Sequence, residues 1–325
     1  MTALFDSMFD SIVQLHDLHP PMDDFRAEVL KGLERSPKVI PPKFLYDKQG
    51  AELFDAICTL DEYYLTRTEM GILQAHAEEI AALIGDGALI EFGSGSSQKV
   101  RIILNAMLQL PTYVGLDISK QHLQESCVQL VQDYPGLEAI AICTDYTRQF
   151  PDIPSLRQKH KVGFFPGSSI GNLEPQEAVQ FLKNTVPLLG QGGLLIGVDL
   201  KKDKAILEAA YDDSKGISAQ FALNLLSRIN RELGANFDLA NFEYEAFYHP
   251  IGRIEMYLVS AIAQSVQIGE ITIPFAAGER LQTENSYKYS IAEFQEIARL
   301  AGFQSKRVWT DAQQWFSLHY LCLAG

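Results

Sequence analysis

The period of apolar residues changes along the chain, and the changes mark out its organisation. Leu73, Ala77, Ile80 and Ile84 recur at helical spacing. They predict a long helix, opened by Thr66-Arg67-Thr68-Glu69 as a capping box and ended at Gly85. From residue 88 onward, short and nearly all-apolar runs alternate with amphipathic segments. The runs 88–92, 113–116, 139–143, 162–165 and 194–198 predict strands, with helices at 98–108, 120–133 and 175–188. Repeated strand–helix units of this kind predict a parallel sheet covered on both faces. After Asp199 the pattern breaks. Helices are expected at 204–211 and 217–233, followed by runs that alternate with period two, such as 253–259 and 271–275. A helix near 290–300 and two strands, 303–309 and 315–323, then complete the sheet as a terminal hairpin. The first 45 residues read as two helices separated by Pro20-Pro21 and Pro41-Pro42, with a further short helix at 51–58.

A chain of 325 residues can bury a substantial core, as one large or two modest domains. Its net charge of −14 argues against a nucleic-acid backbone or an anionic membrane surface as partner. Cys58, Cys127, Cys143 and Cys322 are widely spaced, without a Cys-x-x-Cys motif, and read as reduced core residues of a cytoplasmic protein. The first residues carry acids where a signal peptide needs positive charge, and there is no apolar run long enough to span a membrane. His16 and His19 stand three apart without a third ligand at sensible spacing. They read as surface residues, and no metal is expected.

Candidate chemistry concentrates where the strand 88–92 ends, in Glu91-Phe92-Gly93-Ser94-Gly95-Ser96-Ser97-Gln98-Lys99. An apolar run, a glycine turn, a helix and then a second apolar run closing on Asp117 form the signature of a doubly wound α/β sheet holding an adenosine-type ligand. A dinucleotide site wants a third glycine where Gln98 stands, and Glu91 would repel a pyrophosphate. The residues therefore favour a cationic or zwitterionic ligand such as S-adenosylmethionine over a nicotinamide cofactor, and a glycine turn with no ligand stays open. Gly167-Ser168-Ser169-Ile170-Gly171-Asn172 leaves the fourth strand of the alternating region, where such sheets bind ligands; Asn172 as a plain helix cap is the alternative. Glu284 and Ser286 project to one face if their segment is extended, and could hold two ring nitrogens of a flat heterocycle; exposed loop polars are the alternative.

Taken together, Tyr46-Asp47, Glu62-Tyr63-Tyr64-x-Thr66-Arg67-x-Glu69, Glu91-x-Gly93-Ser94-Gly95, Gly167–Asn172, Tyr211-Asp212-Asp213, Arg253-Ile254-Glu255-Met256 and Thr283-Glu284-x-Ser286 resemble the histidine Nα-methyltransferase family of ergothioneine biosynthesis. The resemblance runs in order from about residue 37 to the end. It implies a doubly wound, Rossmann-like class I methyltransferase sheet at 68–201 and 288–325, which binds S-adenosylmethionine. A second, α+β substrate-binding domain is implied at 1–67 and 202–287. Gly93, Lys99, Asp117, Asp145 and Tyr146 match the family's donor site, with Asp117 on the ribose and Asp145 at the adenine edge. Tyr63, Asn172 and Tyr211 match residues that hold the amino acid's backbone. Glu284 and Ser286 match the pair that grips the imidazole, beside Met256. Tyr46 and Tyr63 are the implied catalytic residues, Tyr46 through a water.

The implied reaction is trimethylation of L-histidine by a monomer. Ser169 replaces a commoner threonine, and the segment His249-Pro250-Ile251-Gly252 departs from the family's pattern. No sulfoxide-synthase segment is fused to the chain, so the expectation covers methylation alone. Methylation of a tryptophan-like amine, or donor binding without turnover, are the competing readings; Glu284, Ser286 and Met256 favour histidine.

Overall fold

The all-apolar runs are strands because each buries both faces. In a computed structural model, which describes residues 13–18, 22–147, 150 and 153–324, the described strands are β1 (Gln14–Asp17), β2 (Lys38–Val39), β3 (Ala88–Phe92), β4 (Thr112–Asp117), β5 (Glu138–Cys143), β6 (Lys161–Phe165), β7 (Gly193–Asp199), β8 (Phe242–His249), β9 (Arg253–Ser260), β10 (Gln264–Ile268), β11 (Ile271–Phe275), β12 (Arg280–Tyr287), β13 (Phe303–Thr310) and β14 (Phe316–Leu323). Every residue of β3 and β7 is buried, as expected for a parallel sheet with helices on both sides.

The chain divides into two compact units: Met1–His19, Leu65–Lys201 and Lys288–Gly325 in the first, Pro20–Tyr64 and Lys202–Tyr287 in the second. The first unit is built on an eight-stranded sheet of order β1-β5-β4-β3-β6-β7-β14-β13. Pairing is parallel from β1 to β7, and β14 runs antiparallel to both neighbours. The strand order reverses at β3, between β4 and β6, and ligands bind doubly wound sheets at such a point. The terminal hairpin is present as the sequence predicts. Two local expectations fail. Gln14–Asp17, placed by the sequence in a helix of the second domain, is a strand on the edge of the first unit's sheet. Most of the preceding segment, and His19, lie outside the described residues. Thr66–Glu69 does not open a helix. It sits inside the helix Tyr64–Ala75, and a separate helix, Ala77–Ile84, follows His76.

The second unit has a four-stranded sheet, β2-β12-β9-β8, with β9 antiparallel to both β8 and β12. The expected helices at 204–211 and 217–233 are present, as Lys204–Tyr211 and Ile217–Leu233. The segment 249–252 is the turn of the β8–β9 hairpin, where Gly252 N–H donates to His249 O at 2.9 Å. Among the described residues no helix is long and apolar enough to cross a membrane, and no group of three or more His, Cys, Asp or Glu could hold a metal ion.

Candidate active site

In the first unit the expected donor residues lie at the carboxyl ends of β3, β4 and β5. Gly93 has φ +72° and Gly95 φ +47°, a region that disfavours any residue with a Cβ. The N–H groups of Gly93 and Ser94 donate to Leu116 O at 2.8 and 3.2 Å, folding the glycine turn back onto β4. A Cβ on Gly93 would stand 3.1 Å from the Tyr146 hydroxyl, so the turn and that phenol share one close approach. Asp117, the last residue of β4, accepts from Gly95 N–H at 3.1 Å on one oxygen and from Ser119 N–H at 2.9 Å on the other. Burial pushes its carboxyl up, against the pull of these two bonds. Asp145 accepts from the backbone and hydroxyl of Thr147 at 3.1 and 2.5 Å. Tyr146 lies edge-on to Phe92 and Phe165.

The cradle fits the donor on one further observation. Ser94 Oγ, in the turn itself, is buried and has no hydrogen-bond partner, and a buried hydroxyl left so is costly unless something meets it.

Glu91 corrects the charge argument made from the sequence. It is buried, accepts from the Tyr113 hydroxyl at 2.7 Å, and desolvation pushes its carboxyl up to about 8 despite that bond and nearby Lys99. Near pH 7 it is mostly protonated, so it does not act as a fixed negative charge before the turn. The missing third glycine still argues against a dinucleotide.

The Gly167–Asn172 loop follows β6. Ser168, at φ +57°, accepts from Asp199 N–H at 2.9 Å. Asn172 ends the short turn Ser169–Asn172 and is not the cap of the next helix. Glu174 is, with the Glu177 carboxylate accepting from its N–H at 3.0 Å. The plain-cap alternative for Asn172 is thereby removed. A fully buried ion pair, Lys288 with Asp199 at 2.8 Å, closes the end of β7.

In the second unit Glu284, Ser286, Met256 and Tyr211 come together at one sheet face, while Asn172 belongs to the first unit. Glu284 pairs in register with Met256, and Ser286 with Ile254. Directly opposed residues share a face, so Glu284, Ser286 and Met256 do. A register shift between Gln282 and Glu284 sets that phase. The Ser286 and Tyr211 hydroxyls are 2.9 Å apart. Tyr63 meets Tyr211 edge-on at 5.9 Å and Phe54 at 6.3 Å. Tyr46 meets Phe54 at 5.6 Å and Phe221 at 5.3 Å. Burial first, then neighbouring Tyr211, Cys58, Tyr46 and Glu284, hold the Tyr63 hydroxyl well above the usual phenol range.

Sequence reasoning gave no site role to three residues, Tyr244 and Asp47 in this unit and Glu69 in the first. Tyr244 donates to Tyr211 O at 2.8 Å, and Glu284 is the first charge raising its hydroxyl after burial. Its period-two position in β8, on the same face as Met256, was the available signal. Asp47 accepts from Gly50 N–H at 2.8 Å and from Asn224 at 2.7 Å, and pairs with Arg231 at 2.6 Å. Glu69 was read as a cap and is instead a fully buried partner of Lys99.

A family model described as histidine-specific methyltransferase, SAM-dependent, matches residues 25–323. The chain is 40% identical to histidine N-alpha-methyltransferase of Mycolicibacterium smegmatis, over 90% of this chain and 93% of that one. It is 39% identical to the protein of the same name from Mycobacterium tuberculosis, with the same coverage. It is 32% identical to ergothioneine biosynthesis protein 1 of Neurospora crassa, over 88% of this chain and 33% of that longer protein.

Proposed function

The chain belongs to the histidine-specific, S-adenosylmethionine-dependent methyltransferase family, and we propose that it trimethylates the α-amine of L-histidine to N,N,N-trimethylhistidine (hercynine), a step toward ergothioneine. Support comes above all from Glu284 and Ser286, an acceptor and a hydroxyl two positions apart on one strand face, opposite Met256. An imidazole offers one N–H and one lone pair, which this pair can meet together.

Gly93, Lys99, Asp117, Asp145 and Tyr146 hold the donor, with the Asp117 oxygens toward ribose and the Ser94 hydroxyl beside the turn. When bound, S-adenosylmethionine supplies an electrophilic methyl on a sulfonium. Asn172, Tyr63 and Tyr211 take the amino acid's backbone. The amine attacks through its lone pair, so each of three rounds needs the nitrogen deprotonated and aligned, and alignment carries most of the work. Tyr63 stays a neutral phenol near pH 7, so it orients the amine and does not take its proton. Once the nitrogen is quaternary, the faces of Tyr63 and Tyr46 offer a cation–π attraction of about 0.5–2 kcal/mol. Tyr46 relays the amine's proton through a water toward solvent, keeping its own phenol neutral.

The test is the product mass of the purified chain incubated with L-histidine and S-adenosylmethionine. A gain of three methyl groups on histidine is expected. Donor binding without turnover, or turnover only of a tryptophan-derived amine, would overturn the assignment.

A further inference from the structure

Glu69 is a buried carboxylate of the first unit whose contacts reach both the helix start after the glycine turn and the Gly167–Asn172 loop. It is fully buried in the helix Tyr64–Ala75, a place where an acid stands only with partners. Its Oε2 lies 2.6 Å from Lys99 Nζ. Gly167 N–H donates to both of its oxygens, at 3.0 and 2.9 Å. Lys99 stands in the first turn of the helix after the glycine turn, and Gly167 opens the loop that ends at Asn172. The neighbourhood is shaped to admit this carboxylate. A Cβ on Gly197 would lie 2.1 Å from Glu69 Oε1, and a Cβ on Gly167 would lie 3.4 Å from Lys99 Nζ.

We propose that Glu69 is a positioning residue for methyl transfer, holding the Lys99 ammonium in place for the donor's carboxylate while anchoring the Gly167–Asn172 loop by its backbone. The proposal rests on the reading of Lys99 as a donor contact. A lysine has a flexible four-carbon stem, and without a fixed counter-charge its ammonium samples many positions. Glu69 removes that freedom before the donor arrives, which lowers the ordering cost of binding.

The conservative variant Glu69→Gln separates the two roles. Its amide oxygen, in the place of Oε2, can still accept from Gly167 N–H and from the ammonium, but the negative charge that fixes the ammonium is gone. Calorimetric binding of S-adenosylhomocysteine should weaken about tenfold. The KM for histidine at saturating donor should move less than twofold. Glu69→Asp keeps the charge on a shorter arm and should recover part of the lost affinity. Lys99→Met supplies the control. If Glu69 acts through Lys99, then Glu69→Gln added to Lys99→Met costs no further donor affinity, and the double variant melts at a higher temperature than Lys99→Met, whose buried carboxylate has lost its cation.

Weakened binding in Lys99→Met with unchanged binding in Glu69→Gln would overturn the role of Glu69 and leave the donor reading standing. Unchanged binding in both would overturn both. Should Glu69→Gln unfold, the single and double Lys99 comparisons with Glu69→Asp decide, since additive losses in that pair sink the coupling.

Discussion

At the scale of single residues, the two ligands are assigned to different side chains, so substitutions should separate them. Glu284→Ala removes the charged acceptor for an imidazole nitrogen. A hydrogen bond to a charged group contributes about 1.5–3 kcal/mol, so histidine binding should weaken by roughly 10- to 150-fold, with donor affinity within twofold in the same calorimetric titration. Equal loss of both ligands would refute the assignment. Asp117→Ala should do the reverse, and more severely than a lost ribose contact alone, because the carboxylate also ties Gly95 and Ser119 in place. Tyr244→Phe tests the residue the sequence did not reveal. It deletes the bond to Tyr211 O, at a cost of about 1 kcal/mol. The KM for histidine should rise several-fold in steady-state kinetics with kcat little changed, because in the proposed site Tyr211, not Tyr244, contacts the amino acid. A fall in kcat alone would place Tyr244 elsewhere in the reaction.

Elements show why some of this was legible in the sequence and some was not. The strands β3 to β7 were plain because burial on both faces writes itself as unbroken apolar runs, and the glycine turn because positive φ admits few other residues. Glu284 and Ser286 were legible only through period two, and their phase depends on a register shift that no local pattern announces. Thr66–Glu69 misled for a different reason. The spacing of a capping box equals that of residues on one helix face, and only the tertiary fold shows Glu69 turned inward to Lys99. Gln14–Asp17 forms a strand because an open sheet edge at β5 accepts it, which is long-range information. Tyr46 depends on its element most directly. The adjacent Asp47 caps the helix Lys48–Cys58 and bridges to Asn224 and Arg231 of the helix Ile217–Leu233. Gly50 is required there, since a Cβ would stand 1.8 Å from Leu45 O. Asp47→Ala should lose the cap and the pair together, lowering stability by about 1–2 kcal/mol in urea unfolding. It should also reduce turnover through Tyr46 more than it weakens donor binding. Gly50→Ala should destabilise by about 1–3 kcal/mol, and unchanged stability would show that the helix start shifts freely.

For the molecule as a whole, two buried groups of the first unit titrate in opposite senses and mask one another. His319 is buried, and desolvation lowers its ring to about 4. The folded state therefore refuses a proton that the unfolded chain takes up near 6.5, so stability is lost as pH falls from about 6.5 to 4, by about 3 kcal/mol in all. Glu91, pushed up to about 8, does the reverse. Its folded form keeps a proton that the unfolded chain releases near 4.5, so stability is lost as pH rises from about 4.5 to 8, by roughly 5 kcal/mol. Between 4.5 and 6.5 each group contributes about one proton of opposite sign, and the slopes cancel. Urea midpoints of the ligand-free protein should thus be nearly flat across that window and decline from 6.5 to 8. Glu91→Gln should abolish the alkaline decline and expose an acid one below 6.5. His319→Phe should extend the alkaline decline down to 4.5. If Glu91→Gln leaves the profile unchanged, that carboxyl is ionised in the fold at neutral pH, and a charged acid before the glycine turn returns as the explanation of its cationic preference.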